Sequence, residues 1–297
     1  QLNVSALNDL PALSEDKQPD SHDYLTRALI LQGTGTQCGY CPNGKGGLKK
    51  FLSEYEEADR VYHLAYHSYT VSDPLYCEAA DVISFQTGLR AYPNMMVNFC
   101  ENWGATGLSI SGFASFLTTS INEAFKTEAK TNIALSAAYN PETEKISVQV
   151  GVKAKEPGLY RVTVALLQDS VYAYQSGAIS EEDYTHNASI RALSPENGEG
   201  AYLDGGNCEV AGKVYQYACE FDTDMLVNLS SGPYTFNPLH HARVVAYVKR
   251  MDGMLDNVTA CSMNEAVEFA YTSVAPEEPI VGIEKISNEF SSPSALV

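Results

Sequence analysis

The hydrophobic pattern of the chain changes character near residue 130. Before that point, short apolar runs typical of buried strands alternate with segments whose apolar residues recur at helical spacing. The pattern predicts strands near 27–32, 60–67 and 94–100 and helices near 44–57, 76–88 and 112–129. Strands that alternate with helices are typical of an α/β layer fold.

After residue 130, apolar residues alternate with polar ones, as they do in half-buried strands. Ile133 and Leu135 share one face of a first strand, and Ile146 and Val148 share one face of a second. The turn-like residues 140–143 between them predict a β-hairpin. Further strands are predicted near 160–166, 214–219, 242–248 and 267–270. Short strands without intervening helices favour an all-β immunoglobulin-like sandwich.

The two ends of the chain lack this periodicity. Residues 1–22 carry two prolines and several acids, and residues 275–297 carry three prolines and few core-forming side chains. The sequence therefore predicts an N-terminal leader over 1–22, an α/β domain over 23–129, a β-sandwich domain over 130–274 and a linker-like tail over 275–297.

The net charge of the chain limits the classes of molecule that can be its partners. The 297 residues include 19 Lys and Arg against 37 Asp and Glu, which gives a formal net charge of −18. Such a surface repels nucleic acid phosphates, so we expect no nucleic acid partner. No apolar run approaches the roughly 18 to 20 residues of a membrane-crossing helix. The start at Gln1 favours a removed signal peptide or a trimmed chain, and we expect an exported protein.

The seven cysteines are compatible with an oxidising compartment and with one or more structural disulfides. Their odd number leaves at least one thiol unpaired within the chain. Cys208 and Cys219 flank a hairpin turn, so they either form a cross-strand bridge or leave Cys219 as a buried thiol. The pairing of Cys77, Cys100 and Cys261 stays open at this point.

The candidate chemistry is concentrated in GTGTQCGYCP, residues 33–42, which follows the apolar run at 28–31. This order places a CxxC pair, Cys38 and Cys41, at a strand-to-helix turn, with Gly39 and Tyr40 between the cysteines. Helix-terminal amides favour a thiolate at the first cysteine, and the second lies close enough to close or resolve a disulfide. The motif predicts thiol–disulfide chemistry.

Two other uses of this segment fit the sequence less well. A zinc site needs a second pair of ligands, but the other cysteines stand singly, and His63 and His67 lie on a predicted strand where they would be about 13 Å apart. A phosphate-binding loop needs a hydroxyl where Gly46 stands and an amide donor where Pro42 stands. We therefore expect no metal and no cofactor.

A proline precedes the third apolar strand, in Ala91-Tyr92-Pro93-Asn94. A cis peptide bond there would set this strand beside the CxxC pair. A strand, a CxxC at a helix start and a proline before a strand, in this order, resemble the thioredoxin-like domains, and Cys38-Gly39-Tyr40-Cys41 resembles the tetrad of bacterial disulfide isomerases. The resemblance implies that Cys38 attacks, Cys41 resolves and Pro93, preceded by Tyr92, holds a substrate chain alongside.

The wider chain, over about 25–270, resembles the 28-kilodalton outer-membrane protein family of Bacteroides-type bacteria. The matching signatures are TGTQCGYCP at 34–42 and DYTHN at 183–187. This resemblance implies an α/β thioredoxin-like N-terminal domain followed by a β-rich domain, and a location in the cell envelope, whether periplasm, outer membrane or cell surface. It implies no established activity. Peripheral or lipid-anchored membrane association stays open.

Two residues depart from the thioredoxin pattern. Gln32 stands where a buried acid usually accepts a proton from the second cysteine, and an amide cannot be that base. Gln37 stands where a tryptophan usually precedes the first cysteine. Two functions of different class follow. One is a thiol–disulfide oxidoreductase acting on the thiols or disulfides of envelope proteins, and the other is a non-catalytic interaction protein in which the CxxC is a structural disulfide.

The segment 180–191 mixes acids, a histidine, an amide and an arginine. A catalytic use of it is open. The side chains of Asp183, His186 and Asn187 are also typical of an ordered loop, in which such groups satisfy turn amides. We predict the ordered loop.

Overall fold

The computed structural model describes residues 10–100, 102–105, 107–206, 208–227 and 241–273. Over these residues the fold is rich in β-structure, with mixed sheets and three α-helices. The helices are α1 (Cys41–Glu54), α2 (Glu78–Thr87) and α3 (Ile110–Ala124). All three helices predicted from the pattern are present.

The first four strands are β1 (Ala28–Thr34), β2 (Val61–His67), β3 (Asn94–Val97) and β4 (Trp103–Gly104). The strands after residue 130 are β5 (Thr131–Asn140), β6 (Lys145–Ala154), β7 (Arg161–Gln168), β8 (Val171–Tyr172), β9 (Thr185–His186), β10 (Ser189–Ser194), β11 (Ala201–Tyr202), β12 (Val214–Asp222), β13 (Ala242–Lys249), β14 (Leu255–Ser262) and β15 (Glu265–Val267).

One large sheet runs through the described part of the molecule in the order β14-β13-β7-β10-β2-β1-β3-β4, with β11 beside β7. β1 runs parallel to β2 and antiparallel to β3. β10 joins β2 in parallel at the pair Ser189 and Ala65. Strands from both halves of the sequence therefore share this sheet, and the division into two domains stays a prediction.

Helices cover both faces of the sheet around β1. On one face, Ala28 and Ile30 of β1 pack with Phe51 of α1 and Phe113 of α3. A Cβ atom added at Gly47 would lie 2.3 Å from Cβ of Phe113, so a glycine is required where the two helices meet. On the other face, the alternate residues of β1 and β2 pack against α2. Because β1 is buried on both faces, its sequence begins with a continuous run of apolar residues instead of an alternating pattern.

The second sheet has the order β12-β6-β5-β15 and packs against β7 and β13 of the large sheet. The shared core consists of β-branched side chains such as Val150 and Val152 on one sheet and Val164 and Val244 on the other. Each such side chain contributes about 1.5 to 3 kcal/mol when fully buried. The predicted hairpin of β5 and β6 is confirmed, and Oδ1 of Asn140 accepts the amide hydrogen of Glu142 in its turn.

Several strand predictions need correction. The third strand ends at Val97 rather than residue 100, because Asn98 and Phe99 have φ angles of 56° and 55°, and Oδ1 of Asn98 accepts the amide hydrogen of Leu29. β10 and β14 were absent from the predicted set. The last strand lies at Glu265–Val267, slightly before its predicted place.

The disulfide of the structure joins Cys38 and Cys41, and the alternative bridge from Cys208 to Cys219 does not form. Cys219 is instead a buried thiol, and burial raises its pKa to about 12. Cys77, Cys100 and Cys261 are also thiols. All seven cysteines lie in the described ranges, and one disulfide, between residues three positions apart, forms among them.

The described part of the predicted leader lies against the second sheet. Nζ of the buried Lys153 lies 2.8 Å from Oδ2 of Asp16 and 2.5 Å from the carbonyl oxygen of Pro19. Residues 1–9 of the leader and the predicted tail at 275–297 lie outside the described residues. Within the described ranges, no helix has the length and apolar character needed to cross a membrane.

Candidate functional site

The CxxC pair forms a disulfide at the start of α1. The Cα atoms of Cys38 and Cys41 are 5.4 Å apart, and Cys41 is the first residue of the helix. Pro42 follows in the first turn, where a missing amide hydrogen costs no helical hydrogen bond. The partial positive charge of a helix start stabilises a thiolate, and the first turn of α1 carries no acid that would oppose it.

The structure brings Pro93 to the same helix. The Tyr92–Pro93 peptide bond is cis, and a Cβ atom added at Gly44 would lie 3.0 Å from Cβ of Pro93. Pro93 therefore packs against the first turn of α1. The hydroxyl of Tyr92 lies 2.7 Å from the hydroxyl of Ser68, which anchors the approach to β3.

Gln32, the residue in the place of the expected acid, is buried on β1. Its Oε1 lies 2.8 Å from Nε2 of His63 on β2. Burial lowers the pKa of His63 to about 3, and the positive charge of Arg243 adds to this effect. The neighbour of the CxxC helix is therefore a neutral amide–imidazole pair instead of a carboxylate.

A buried carboxylate holds the loop that leads into the CxxC. Oδ2 of Asp73 accepts the amide hydrogen of Thr36 at 2.6 Å, and Oδ1 accepts that of Leu75 at 2.8 Å. Nδ1 of His67 lies 3.4 Å from Oδ2. Burial opposes ionisation of Asp73, but the contact with His67 and the two amides outweigh it, so its pKa lies below the ordinary value.

Residues Gln175–Gly177, here named the cover segment, lie over the disulfide. Nε2 of Gln175 donates to the carbonyl oxygens of Gly35 at 3.2 Å and Cys38 at 3.0 Å. The amide of Ser176 donates to the carbonyl oxygen of Thr36 at 2.7 Å. Both cysteines are closed to solvent, with Cys38 at 3% exposure and Cys41 at 2%.

Gly177 fits this position because it has no side chain. Its φ angle is +69°, and an added Cβ atom would lie 2.1 Å from the carbonyl oxygen of Gly39. The cover segment thus touches the CxxC backbone at Gly39 as well as at the carbonyl oxygen of Cys38. Tyr40, in contrast, points outward with 68% exposure.

The segment after the cover is ordered, as predicted. Oδ2 of Asp183 accepts the amide hydrogens of Ile179 at 2.7 Å and Ser180 at 3.1 Å. Oδ1 of Asn187 accepts the amide hydrogen of Ser170 at 2.8 Å. His186 has a different role, since its ring lies 5.1 Å from that of His67 with no hydrogen-bond partner for Nε2 among the described residues.

A cavity of about 750 Å³ lies beside the disulfide. Its walls come from α1, from the faces of β1 and β2 that carry Gln32 and His63, and from residues 179–187. His67 and His186 also line it. Burial lowers the pKa of His186 to about 3, and the charges of His67 and Lys45 act in the same direction. No cluster of three or more His, Cys, Asp or Glu side chains in the described ranges is arranged to hold a metal ion.

The sequence identified the CxxC and Pro93 but missed the residues that surround them. Gln175 contacts the carbonyl oxygen of Cys38, although the two residues are 137 positions apart in the sequence. A contact between such distant residues cannot be predicted from a local sequence pattern. Asp73 offered a weak signal, because an aspartate that precedes a Pro-Leu pair after a strand is typical of a capped turn.

No protein-family model matches the chain, and no curated protein matches it. Among solved structures, the fold is similar to that of HBP35 of Porphyromonas gingivalis, with a TM-score of 0.63 and 16% sequence identity. The match covers 89% of this chain and 82% of that chain. At this identity the likeness concerns the fold alone, so arguments about function rest on the side chains.

Proposed function

We propose that this protein exchanges disulfides with partner proteins through Cys38 and Cys41, in the envelope of a Bacteroides-type bacterium. The observation that supports this proposal best is the disulfide at the first residue of α1, with Pro93 packed against the first turn of that helix. In this proposal, residues 23–129 act as a thioredoxin-like domain and residues 130–274 as an immunoglobulin-like domain that contacts the partner. An exported location fits a chain that holds a disulfide, since such bonds persist in oxidising compartments.

The proposed exchange moves two electrons from a partner dithiol to the disulfide. A partner thiolate attacks Sγ of Cys38, the Cys38–Cys41 bond breaks, and Cys41 leaves as a thiolate that takes up a proton. A second partner thiolate then attacks the partner's own sulfur in the mixed disulfide and releases Cys38. The partner leaves oxidised. A further disulfide-bearing molecule must accept the two electrons before the next cycle.

Each residue of the motif has a part in this proposal. The start of α1 stabilises Cys38 as a leaving or attacking thiolate. Pro93 is buried against α1 while the site is closed, and in this proposal it becomes the surface along which a partner chain lies when the partner displaces the cover segment. Tyr92 fixes the approach to β3 through Ser68. Gly39 allows close approach of a backbone, and the exposed ring of Tyr40 offers contact area to a partner.

The cover segment sets the condition for this reaction. A nucleophile must reach Sγ of Cys38 in line with the disulfide, but Cys38 is buried, and the bonds of Gln175 and Ser176 hold the cover segment against the loop that carries it. Displacement of residues 175–177 therefore precedes attack. A partner that replaces their contacts with Gly35 and Thr36 would open the site as it binds.

The same burial favours a second candidate function. Cys38 and Cys41 are 3% and 2% exposed, which is typical of inert structural cysteines. In this alternative the disulfide staples the loop before α1, and the protein is a non-catalytic interaction protein of the envelope.

The redox potential of the pair separates the two candidates. We would equilibrate the purified protein in glutathione buffers and alkylate the free thiols. A potential above about −250 mV supports exchange, whereas a pair that stays oxidised below about −300 mV supports the structural disulfide.

A trapping experiment gives a second, independent readout. Cys41→Ser removes the resolving thiol, so Cys38 should form a stable mixed disulfide with a disulfide-bonded model peptide. Cys38→Ser should form none, and Cys77→Ser, at a partly buried thiol, should behave as the unaltered protein. Equal trapping by Cys38→Ser and Cys41→Ser would contradict the assigned roles.

A further inference from the structure

The cavity beside the CxxC has no part in the exchange reaction. It extends along α1 from Cys41 to Ser53, and Gln175 of the cover segment also lines it. Leu48 and Leu52 of α1 form one side, and Ala65 of β2 and Ile179 form others. Its volume of about 750 Å³ lies within the range of roughly 300 to 1,000 Å³ that is typical of small-molecule sites.

The formal charges along its wall are already paired. Nζ of Lys45 donates to the carbonyl oxygens of Glu182 at 2.5 Å and Thr185 at 2.7 Å. Lys49 forms an ion pair with the carboxylate of Glu182. The carboxylate of Asp183 accepts two amide hydrogens. The wall therefore offers no uncompensated charge to a ligand among its described residues, which argues against an ionic occupant.

The polar atoms that remain are neutral. Oε1 of Gln32 accepts from Nε2 of His63, so the hydrogen of this imidazole is on Nε2 and its Nδ1 is an acceptor. His63 lines the cavity, and its hydrogen bond within the described part of the chain is made through Nε2, which leaves Nδ1 for a ligand. A neutral acceptor in an apolar wall gives direction to a ligand that carries one hydrogen-bond donor.

We propose that this cavity binds a small, uncharged, mainly apolar molecule, which donates one hydrogen bond to Nδ1 of His63. The site is independent of the disulfide exchange proposed above. Binding removes the apolar surface of the ligand and of Leu48, Leu52 and Ile179 from water, and the hydrogen bond fixes its orientation.

Three probes of nearly equal shape test this proposal. N-phenyl-1-naphthylamine is neutral and carries one N–H donor, its 8-sulfonate is anionic, and 1-benzylnaphthalene replaces the N–H by a methylene group. We expect the amine to bind saturably at one site, with a rise in fluorescence. The sulfonate should bind at least tenfold more weakly, and 1-benzylnaphthalene should displace the amine with about fivefold lower affinity.

Variants locate the binding. Ala65→Phe fills the cavity from β2 and Ser53→Trp blocks its rim from the exposed end of α1, so each should weaken amine binding at least tenfold. Ala58→Phe, outside the cavity, is the matched control and should leave binding unchanged. Ser53→Trp keeps the test decisive if Ala65→Phe does not fold. In His63→Phe the amine and 1-benzylnaphthalene should bind equally.

Three results would overturn the proposal. The unaltered protein could show no saturable binding of the amine, the sulfonate could bind as tightly as the amine, or the folded Ser53→Trp variant could bind as well as the control. Absence of saturable binding would mean that the cavity is not a ligand site. Equally tight binding of the sulfonate would indicate an anion site. Unchanged binding by Ser53→Trp would mean that the probe binds elsewhere on the molecule. All three probes are tested on the oxidised full chain, and repetition with Cys38→Ser separates this site from the exchange reaction.

Discussion

Two regions of the large sheet, here named the sandwich end (around β7 and β13) and the cavity end (around β2), differ in how completely the space beside the sheet is filled. Around β7 and β13 the second sheet lies directly on the large one, and the side chains between them are apolar and fully buried. Around β2 the facing side chains are His63, Ala65 and His67, and a cavity takes the place of a packed layer. The first arrangement stabilises the fold. The second gives up stabilising contacts and leaves room for a ligand beside the disulfide.

Two buried polar groups, one at each end, differ in whether they have a partner. Lys153 at the sandwich end has the carboxylate of Asp16 and the carbonyl oxygen of Pro19 within 2.8 Å. Nε2 of His186 at the cavity end is buried without a partner in the described ranges. Such atoms are not confined to the cavity end, since the hydroxyls of Thr259 on β14 and of Tyr24 are also buried without a partner in the described ranges. Each buried polar group without a partner costs stability. Substitutions at the two ends test whether the sandwich end is structural and the cavity end functional.

The largest expected effect belongs to the sandwich end. Asp16→Ala leaves the buried ammonium of Lys153 without its carboxylate, and we expect a loss of about 3 to 5 kcal/mol in the free energy of unfolding. Urea unfolding measures it. The neighbouring exposed Glu15 is the control, and Glu15→Ala should change stability by less than about 0.5 kcal/mol. If the two variants were equally stable, Asp16 of the predicted leader would not stabilise the buried ammonium of Lys153.

The next effect is at the cover segment. Gly177→Ala places a methyl group against the carbonyl oxygen of Gly39 at a φ angle of +69°. We expect a local cost of about 1 to 3 kcal/mol, which displaces the cover and speeds reduction of the disulfide by dithiothreitol about tenfold or more.

Gly253→Ala separates steric contact from backbone strain. Gly253 has a φ angle of +83°, but an added Cβ atom meets nothing within 4 Å. This variant should carry the backbone strain alone and leave the reduction rate unchanged. A rate for Gly177→Ala equal to that of Gly253→Ala would mean that the cover does not limit access to the cysteines.

A smaller effect depends on pH. The pKa of His186 is about 3 in the folded chain, below the ordinary value near 6.5 of an unfolded one. Between these values the unfolded state binds the extra proton, so stability rises with pH and is lost on acidification. From pH 7 to pH 5, His186→Leu should lose about 1 to 2 kcal/mol less than the unaltered protein.

Denaturant unfolding at the two pH values measures this difference. The exposed His22 is the control, since His22→Leu should keep the pH dependence of the unaltered protein. If His186→Leu follows the control, the imidazole at the cavity end is not held neutral by burial.

The smallest effect concerns the hydrogen bonds of Gln175. Gln175→Ala removes the donor to the carbonyl oxygens of Gly35 and Cys38 while the backbone of the cover segment stays. A net loss of about 1 kcal/mol should raise the rate of disulfide reduction about fivefold. Gln216→Ala, at an exposed position of β12, should leave that rate as it was. A reduction rate of Gln175→Ala that matches this control would assign the cover to its backbone contacts alone.

Much of the fold could be predicted from local pattern, because the helices and the long hairpin bury residues at their own regular spacing. β14 was not predicted, because it contains Asp256 and Asn257, which are residue types typical of loops. Both are buried, and Nδ2 of Asn257 donates to the carbonyl oxygens of Leu25 and Thr131. Partners from other strands make these polar residues acceptable, and the sequence does not show which strands will be neighbours.

The candidate site divides in the same way. Cys38 and Cys41 were identified from their spacing within a short stretch of chain, and Pro93 from its place directly before the third strand. The cavity depends on how residues 179–187 cross α1, and the pairing of Gln32 with His63 depends on the register of β1 and β2. Contacts of this kind are set by tertiary packing, so they could be found only in the folded structure.

The distance along the chain between Cys38 and its cover has a consequence for biosynthesis. Gln175 follows Cys38 by 137 residues, so synthesis of the intervening chain takes on the order of ten seconds at typical rates. During that interval the strand–CxxC–helix unit is complete in sequence while the segment that closes over it does not yet exist. The nascent chain therefore leaves both cysteines uncovered, and only a polypeptide that includes residues 175–177 can close over them.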